Sequence, residues 1–509
     1  MTHPKILFLF ICLFFSITCN GKPGSTVYDV TKFGAVGDGK TLNTNAIQKA
    51  IDACSSQGGG VVLISEGIFV SGTIFLKSDV NLTISDKATL LGSTNISDYR
   101  MLDGFKDGRG SSMGYCFIGG ADVKNSAISG KGTIDGNGKV LLEKNGRGKR
   151  PFLVRFVRCT GMGVTGVTMK GPAAWTVHFF ECKNITAEKV IIRSGGLGNN
   201  DGFDIDSCDG VVIKDCDIDS GDDAICLKTT GPLPCRNIEV FNCRINTSQG
   251  AFKLGTESFG NFENIHIHNC KVENTRGIKL YSVDGSYLKN LRISDITIEK
   301  TTLPILLRLG SRLKTFREGD IKKPVGKIEG VVLKNISVRS ATQMAILISG
   351  IPGHKIKDVS ITGITVRLPG GGTQEDAGVS LAENEVDYPE VTMFGKQMPA
   401  YGMYVRHAEQ ITVKNVKILL DRADSRPAIV GIDLADIRIE KWKSPVTASA
   451  EPFIKLETVD KVVLAGIKSP QKPAIFLQVE GESNEIVIHG DESKIILGKD
   501  VSAKTVTFK

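Results

Sequence analysis

The sequence predicts an all-β protein, a right-handed parallel β-helix solenoid with a short N-terminal capping helix. Three observations carry this prediction: a repeat of short apolar strands with a period of 26 to 27 residues, turns of Asn, Asp and Gly between the strands, and no helical periodicity between the repeats. Short strands that alternate apolar and polar residues cannot bury a face alone. Successive units therefore have to stack.

The repeat is clearest in the middle of the chain, where one apolar position returns at nearly constant spacing. Intervals of 26, 27, 27 and 26 residues separate Val190, Cys216, Cys243, Cys270 and Ile296. The same phase returns after longer gaps at Ile336, Ile364 and Val416. An unbroken repeat indicates one elongated domain over residues 25–443, since a solenoid grows without needing a second core.

Both ends of the solenoid carry a signal of their own. Apolar residues recur at helical spacing over 46–54, Asn45 can serve as N-cap with Gln48 three residues on, and three glycines at 58–60 end the pattern. We expect this helix to cover the first coil. Residues 444–509 still alternate, so they are predicted to form further β coils or a small β cap.

Residues 1–19 have the pattern of a secretory signal peptide. Lys5 precedes an apolar run, 6–15, that is too short to span a bilayer and is followed by small and polar residues. The segment ends at Cys19, which a bacterial lipoprotein signal would acylate, although Thr18 is a poor residue at the preceding position. We expect an exported protein, either periplasmic, extracellular or lipid-anchored at the cell surface, without a transmembrane segment.

Charge and composition narrow the class of partner. Removal of residues 1–19 takes away one lysine and no acid, so the formal net charge falls from +8 to +7, which favours a polyanion without specifying one. Nucleic acid is not predicted, because the sequence contains no basic cluster with interleaved aromatic residues. An acidic polysaccharide or oligosaccharide suits an exported protein better. We expect a monomer that needs no cofactor.

Ten cysteines follow the leader segment. Three of them, Cys216, Cys243 and Cys270, share one phase of the repeat, so we expect them to pack as a ladder of reduced thiols. Cys226 and Cys235 bracket the loop after the second aspartate motif and are the best-placed disulfide pair. No metal site is predicted: the short CxxC spacing is missing, and two histidines that alternate on one strand, at 266 and 268, have no third ligand nearby in the sequence.

Three aspartates on neighbouring turns point to a chemistry. The run Asn199-Asn200-Asp201-Gly202 is followed about twenty residues later by Ser220-Gly221-Asp222-Asp223. Acid–base cleavage of a glycosidic bond needs one protonated carboxylic acid for the leaving sugar and an ionised carboxylate to activate water. Clustered carboxylates repel one another, which raises the pKa of one of them. The sequence therefore predicts an enzyme.

These motifs, taken together, resemble glycoside hydrolase family 28, the polygalacturonases and rhamnogalacturonases. The resemblance is carried by Tyr28-Asp29-Val30, by the run from Phe33 to Gly39, by the cap helix and by the two aspartate motifs, and it extends to about Lys279. It implies an inverting hydrolase that cleaves galacturonate-containing pectic polysaccharide, either rhamnogalacturonan or polygalacturonan, in a groove across the strands.

The resemblance also implies roles for the three aspartates. Asp222 would be the general acid, and Asp201 and Asp223 would activate the water. Further candidates for contacts with the sugar are Trp175 as a platform and His178 as a hydroxyl contact.

Departures from the family pattern bear on the substrate. Gln249 replaces a histidine of the family, and Gly277 replaces the arginine of its Arg-Ile-Lys motif, while Lys279 is retained. Arg276 is adjacent, but on a strand its side chain would point to the opposite face. One of two cations for a galacturonate carboxylate is then missing, which favours a neutral sugar beside the cleaved bond, as in rhamnogalacturonan. We expect Gly277→Arg to improve action on homogalacturonan if the groove is otherwise unchanged.

Two more features complete the predicted site. Glu257 lies just beyond Gln249 in the sequence and is a candidate polar contact, so the predicted substrate-binding set is Gln249, Lys279, Glu257, His178 and Trp175. The loop 384–390 lies in a long insertion and is a candidate wall at one end of the groove.

Two other classes of function stay open. A non-catalytic polysaccharide-binding β-helix would explain the scaffold but would have no need of three aspartates. A pectate-type polysaccharide lyase on the same fold would act by β-elimination, usually with calcium and a basic residue, and its products would absorb in the ultraviolet.

Overall fold

The computed structural model describes residues 26–342, 344–446, 451–490 and 493–509. The predicted export signal at 1–19 lies outside these residues. Among the helices of the described part of the chain, none is long and apolar enough to cross a membrane.

The strands form one continuous sheet, which the turns divide into three stacks of parallel strands. The first stack contains Val27–Asp29, Gly60–Ile64, Val80–Ile84, Ala127–Gly130, Thr160–Thr165, Lys183–Glu188, Asp209–Lys214, Cys235–Phe241, Asn484–His489 and Val506–Phe508. The second stack contains Asp38–Leu42, Gly67–Ser71, Ala88–Gly92, Thr133–Asp135, Thr168–Lys170, Ile191–Arg193, Asp217–Ser220 and Arg244–Thr247. The third stack contains Ile74–Phe75, Ser112–Ala121, Phe152–Val157, Val177–Phe180, Phe203–Asp206, Ile225–Thr229, Gly250–Ser258, Gly277–Ser282, Ile305–Leu309, Ile346–Ser349, Leu477–Glu480 and Ile495–Leu497.

Longer strands in the later coils bend from one stack into the next. Four of them run through the first and second stacks, namely Phe262–Glu273, Tyr287–Ile298, Lys327–Val338 and Ile356–Leu368. Three more begin in the third stack, namely Met403–Leu420, Ile429–Lys443 and Ile454–Ala465. The strand Arg100–Lys106 pairs antiparallel with Ser112–Ala121 and forms the hairpin 100–121. The predicted right-handed parallel β-helix is confirmed.

The phase of the repeat agrees with the strand register. Ile296 pairs with Ile336, Ile336 with Ile364, and Ile364 with Val416. All four side chains are buried in the core that runs along the solenoid. Each coil therefore covers the apolar residues of the coil before it, and the period read from the sequence is confirmed.

Asparagines at the turns form ladders of their own. Asn237, Asn264 and Asn290 adopt left-handed backbone conformations with φ of 56°, 54° and 55°. The side-chain amide of Asn264 donates to the Asn237 oxygen at 3.1 Å, and that of Asn290 donates to Asn264 at 2.7 Å. Asparagine tolerates this conformation better than most residues, so the tight turn between stacks can recur in every coil.

The ten cysteines in the described residues are all free and buried. The thiols of Cys216, Cys243 and Cys270 pack in the core, as the ladder prediction required. The predicted disulfide is wrong: the Cys226 thiol donates to the Gly255 carbonyl at 3.0 Å, and the Cys235 thiol donates to the Ile205 carbonyl at 3.4 Å. The two residues lie on different stacks, which turns their side chains to different partners.

The α-helix Thr44–Ser56 buries Ile47, Ala50, Ile51 and Cys54 over the first coil, as predicted. Its N-cap position is Asn43 rather than Asn45, and the Asn43 side chain does not cap the helix. It binds the backbone of Val36 instead, which ties the helix to the preceding loop. The other helices are Gly138–Asn145 and Gln374–Ala377, and short 3₁₀ segments occur at Val30–Phe33, Ile96–Asp98, Val391–Phe394 and Ala503–Thr505.

Residues beyond 443 continue the solenoid, because strands as late as Val506–Phe508 still pair in parallel with the preceding coil. A separate C-terminal unit over residues 444–509 stays a prediction.

The insertion 369–402 covers the outer face of the third stack. Strand pairing aligns Leu306, Leu347 and Tyr404 in one outward row, which would expose apolar surface if it were left uncovered. The insertion packs on this row in a second apolar cluster that includes Val391, Phe394 and Met398. It also brings its loop against the middle coils, where the predicted catalytic residues lie.

Candidate active site

The candidate site lies on the outer face of the third stack, between the hairpin 100–121 and the insertion 369–402. Strand pairing places His178, Asp204, Cys226, Lys253 and Lys279 in one row on this face. All five side chains are buried, because the hairpin and the insertion wall the row on its two sides. Buried charges need partners, and such clusters mark functional sites.

The structure brings the three predicted aspartates together. Asp201 lies in the turn before the strand Phe203–Asp206, and Asp222 and Asp223 lie in the equivalent turn one coil later. One oxygen from each carboxylate lies within 4.8 Å of the others. Asp201 and Asp223 are buried, while Asp222 remains partly exposed to the cavity.

The environments of Asp222 and Asp223 push their pKa values apart. Burial alone would raise the pKa of Asp223, but the Lys253 and Lys279 ammonium groups outweigh burial and hold the pKa well below its usual range. Lys253 Nζ donates to Asp223 Oδ2 at 2.7 Å, and the Gly250 amide donates to Oδ1 at 2.8 Å. Burial and the charge of Asp223 raise the pKa of Asp222. The site therefore holds one carboxylate ionised beside one that favours its proton.

Asp201 is almost fully buried, like Asp223. Its Oδ1 is buried and has no hydrogen-bond partner. Burial, followed by the nearby charge of Asp204, raises its pKa well above the usual range. Asp204, which the sequence analysis missed, lies fully buried beside it, and its own pKa is raised by burial. A water molecule or sugar hydroxyl that reached this unpaired oxygen would satisfy it.

Lys228, a second residue that the sequence analysis missed, holds these carboxylates together. Its Nζ lies 3.4 Å from Asp204 Oδ1, 3.2 Å from Glu257 Oε2 and 4.0 Å from Asp201 Oδ2. The ammonium group also lies 4.4 Å from the centroid of the Trp175 ring. Three carboxylates around one buried lysine leave a net negative charge, so a proton is retained in the cluster.

Glu257 and Trp175 both line the cavity, where the sequence predicted them. Glu257 Oε1 accepts from the Gly108 amide of the hairpin at 2.6 Å, and Lys228 binds the other oxygen. Burial opposes ionisation of Glu257, but Lys228 and Lys253 lower its pKa to about 2. Trp175 stacks on Phe152 with ring centroids 5.1 Å apart. Trp175 is only 3% exposed, so little of its ring is open to the cavity.

His178 does not reach the cavity, so its predicted hydroxyl contact is wrong. The side chain is fully buried beneath Trp175, where it contacts Arg155 and lies 3.5 Å from Asp206 Oδ2. Burial, followed by the charge of Arg155, lowers its pKa to about 4. It is therefore a neutral packing residue at neutral pH.

Lys279 is likewise withdrawn from the cavity. Its side chain is 0% exposed, and its Nζ donates to Glu390 Oε2 at 2.8 Å. Glu390 belongs to the loop 384–390, the segment proposed as a wall, and both Glu390 and Tyr388 line the cavity. The retained lysine of the sequence motif is thus already paired, which no local pattern could reveal.

Arg276 and Gly277 are placed differently from the prediction. Arg276 precedes the strand Gly277–Ser282, so strand alternation does not govern its side chain, and it lines the cavity. Gly277 has a φ of 112°, and a Cβ there would lie 1.9 Å from the Leu303 carbonyl oxygen. An arginine at this position would collide with the next coil, so the condition for the gain expected from Gly277→Arg, an otherwise unchanged groove, is not met.

The cavity has a volume of about 310 Å³. It is lined by Asp107, Gly108, Arg109, Trp175, Asn199, Asp201, Asp222, Asp223, Lys228, Gln249, Lys253, Glu257, Arg276, Tyr388, Glu390 and Thr392. Of the predicted set, His178 and Lys279 are outside this lining. Three of the residues that the sequence analysis missed are cations: Arg109, Lys228 and Lys253. Lys228 lies two residues after Cys226 on one strand, so both side chains point to the same face. This spacing was the signal that could have identified Lys228.

A second group of potential ligands lies on the first stack, away from this cavity. Glu239, His266 and His268 bring ligand atoms within 4.8 Å of one another. The two histidines have no third ligand nearby in the sequence, because Glu239 lies one coil earlier and meets them only through strand pairing.

Comparison with known proteins decides the family. Residues 54–385, more than half of the chain, match the model of the glycosyl hydrolases family 28. The chain belongs to family 28. The resemblance drawn from the sequence motifs is therefore confirmed.

Curated family 28 relatives match part of the chain. A probable polygalacturonase of Vitis vinifera is 32% identical over 228 residues, and an exo-poly-alpha-D-galacturonosidase of Dickeya chrysanthemi is 30% identical over 259 residues. The alignments cover 42% and 39% of this chain, and 46% and 41% of the relatives. The chain thus spans less than half the length of each of these two relatives.

Two solved family 28 structures share the fold. The exopolygalacturonase of Yersinia enterocolitica has a TM-score of 0.65 at 19% identity and covers 81% of this chain and 78% of its own. The exopolygalacturonase of Thermotoga maritima has a TM-score of 0.60 at 21% identity and covers 77% of this chain and 92% of its own. At this identity the likeness concerns the architecture of family 28 alone.

Proposed function

We propose that this family 28 protein is a glycosidase that hydrolyses galacturonate-containing pectic polysaccharide, rhamnogalacturonan or polygalacturonan, by acid–base catalysis. The observation that carries the proposal is the pair Asp222 and Asp223, whose pKa values are shifted in opposite directions within one cavity. An acid and a base that act at the same pH need this separation. Arg109 and Arg276 add positive charge to the cavity wall, which suits an acidic sugar chain.

In this mechanism Asp222 protonates the oxygen of the leaving sugar. Its position supports the role, because it is the most exposed of the three aspartates and its pKa is raised. Asp223, held ionised by Lys253, accepts the proton of the attacking water. Asp201, which lines the cavity beside them, helps to hold that water. Water adds to the anomeric carbon, the glycosidic bond breaks, and the water proton ends on Asp223.

The stereochemical course is proposed from family membership. Most inverting enzymes separate their two carboxyl groups by about 6.5–9.5 Å to admit the water. The nearest oxygens here lie within 4.8 Å, so the spacing by itself does not favour inversion. We expect ¹H NMR of the first product to show the inverted anomer. A product with retained configuration would exclude the mechanism.

The function is tested by incubating the protein with homogalacturonan and with rhamnogalacturonan. Reducing ends should form in at least one digest without ultraviolet-absorbing products. A lyase would produce that absorbance with calcium, and a binding protein would produce neither signal. Asp215→Asn is the matched control for Asp222→Asn. Asp215 lies outside the cavity, and its left-handed backbone, with φ of 55°, also suits asparagine.

Export of the protein is proposed from residues 1–19. A polymeric substrate of this kind has to be met outside the cytoplasm, which agrees with a cleavable or acylated leader. Cell fractionation, followed by mass determination of the N-terminal peptide, should find the protein exported and processed. Full-length protein in the cytoplasm would contradict this proposal.

A further inference from the structure

Glu390 places a carboxylate of the protein itself among the lysines of the site. Its Oε2 accepts from Lys279 Nζ at 2.8 Å, and its Oε1 lies 3.9 Å from Lys253 Nζ. Lys253 in turn donates to Asp223 Oδ2 at 2.7 Å. Lys253 therefore lies between the Glu390 carboxylate and the proposed base, Asp223, and Glu390 lines the same cavity.

The two lysines form a position that selects for a carboxylate. Lys279 is fully buried and Lys253 is nearly so, with side-chain exposures of 0% and 5%. A buried ammonium group without a partner is strongly unfavourable, and Lys253 is already paired with Asp223, so Lys279 requires a negative group of its own beside it. Beside catalytic carboxylates, the group that would fill such a position is the C6 carboxylate of a uronic acid.

The loop that carries Glu390 is held in place rather than left free. Tyr388 Oη accepts from Thr256 Oγ1 at 2.9 Å, and Arg308 donates to the carbonyl oxygens of Glu383 and Asn384. On its other side the loop continues into the apolar cluster of the insertion, through Val391. Glu390 is thus anchored on both sides, and the lysine position is filled from within the protein.

We propose that Glu390 occupies the carboxylate position formed by Lys253 and Lys279, so that the sugar bound beside it must be neutral. A uronate carboxylate there would meet both a filled position and a like charge. Uronate residues of the polysaccharide are bound instead through Arg109 and Arg276, two further cations of the cavity wall. This inference rests on the proposed function and assigns the site to chains in which neutral sugars alternate with uronates.

The test replaces Glu390 and measures both substrates. In Glu390→Ala the ratio of kcat/KM on homogalacturonan oligomers to that on rhamnogalacturonan oligomers should rise at least tenfold. Glu390→Gln keeps the size without the charge and should raise the ratio less. Asp387→Asn, an equal charge change on an exposed residue of the same loop, should leave the ratio unchanged. An unchanged ratio in both folded Glu390 variants would overturn the proposal.

A binding measurement separates this inference from the proposed function. Calorimetry should show free galacturonate binding to Glu390→Ala at least tenfold more tightly than to the wild type, and the gain should vanish in Glu390→Ala/Lys279→Met. Equal binding in all three proteins would refute the inference, whatever the activity. A wild type that cleaves neither polysaccharide would refute the proposed function, while the binding result would still decide the role of Glu390.

Discussion

At the scale of single residues, the site depends on two adjacent aspartates whose neighbours carry opposite charges. Asp223 lies against Lys253, whereas Asp222 faces the cavity with Asp223 behind it. The same residue type thus has two protonation states within one turn. That difference comes from the neighbours rather than from the aspartates, so each role can be tested by changing one side chain.

Asp222→Asn should abolish most of the activity. Loss of a general acid lowers turnover by about 100-fold to 10,000-fold, because the leaving oxygen is no longer protonated. We expect kcat to fall by that factor while the melting temperature stays close to that of the wild type. Reducing-end assays on the purified variant provide the measurement. Near-normal turnover would remove Asp222 from its role.

The pH dependence of activity should follow the two shifted carboxyl groups. Asp223 must be ionised, so activity is lost as pH falls through its lowered pKa. Asp222 must be protonated, so activity is lost as pH rises through its raised pKa. Lys253 lowers the pKa of both groups, so Lys253→Met should move both limbs of the kcat/KM profile to higher pH. Lys271→Met, at an exposed lysine, is the control. If the acidic limb of the profile does not move in Lys253→Met, the assignment of Asp223 as the base is contradicted.

At the scale of elements, the turn before each third-stack strand decides what faces the cavity. Gly277 opens the strand Gly277–Ser282 in a left-handed conformation, close under the next coil. This close approach leaves Arg276 outside the strand and lets it line the cavity. The glycine is therefore a steric requirement of the coil as well as a departure from the family motif.

Gly277→Ala should destabilise the protein. A left-handed residue other than glycine costs on the order of 1–3 kcal/mol, and the collision with Leu303 adds to that. Chemical denaturation should show a lower free energy of unfolding. Gly319→Ala separates the two causes, because Gly319 has a φ of 87° with no atom within 4 Å of its Cβ position. If Gly277→Ala lowers the free energy of unfolding no more than Gly319→Ala does, the collision with Leu303 is not significant.

At the scale of the whole molecule, the core is a continuous column in which each coil contacts its neighbours. Ile293 is fully buried and pairs with Ile267 in the coil before and with Leu333 in the coil after. Such a column depends on every coil being filled, since a void in one coil also removes contacts from the next.

Ile293→Ala should therefore lower the free energy of unfolding by about 2–5 kcal/mol, the usual cost of a large cavity in a packed core. Urea denaturation followed by circular dichroism provides the measurement. Thr297→Ala, at an exposed position of the same strand, should change stability by less than about 0.5 kcal/mol. Equal losses in the two variants would show that packing along the column does not carry the stability.

The sequence by itself determined the coil, because the coil is a local and repeated pattern. Strand alternation and the period of 26 to 27 residues placed Cys216, Cys243, Cys270 and Ile296 correctly in the core. The same spacing put the three aspartates on adjacent turns, which was enough to bring them together. The N-cap of the first helix was missed by two residues, because Asn43 binds the preceding loop instead of the helix.

Only the tertiary structure decided what covers the outer face of the third stack. Lys279 meets Glu390 across 111 residues of sequence, Glu257 meets the Gly108 amide across 149, and His178 is buried under Trp175. No periodic pattern encodes these contacts, since they depend on how the hairpin and the insertion fold back on the solenoid. A charged residue on a strand is equally consistent with exposure, a substrate contact or an internal ion pair until its covering segment is known. The repeat therefore specified where the carboxylates meet, and the long-range contacts specified which cations remain for a ligand.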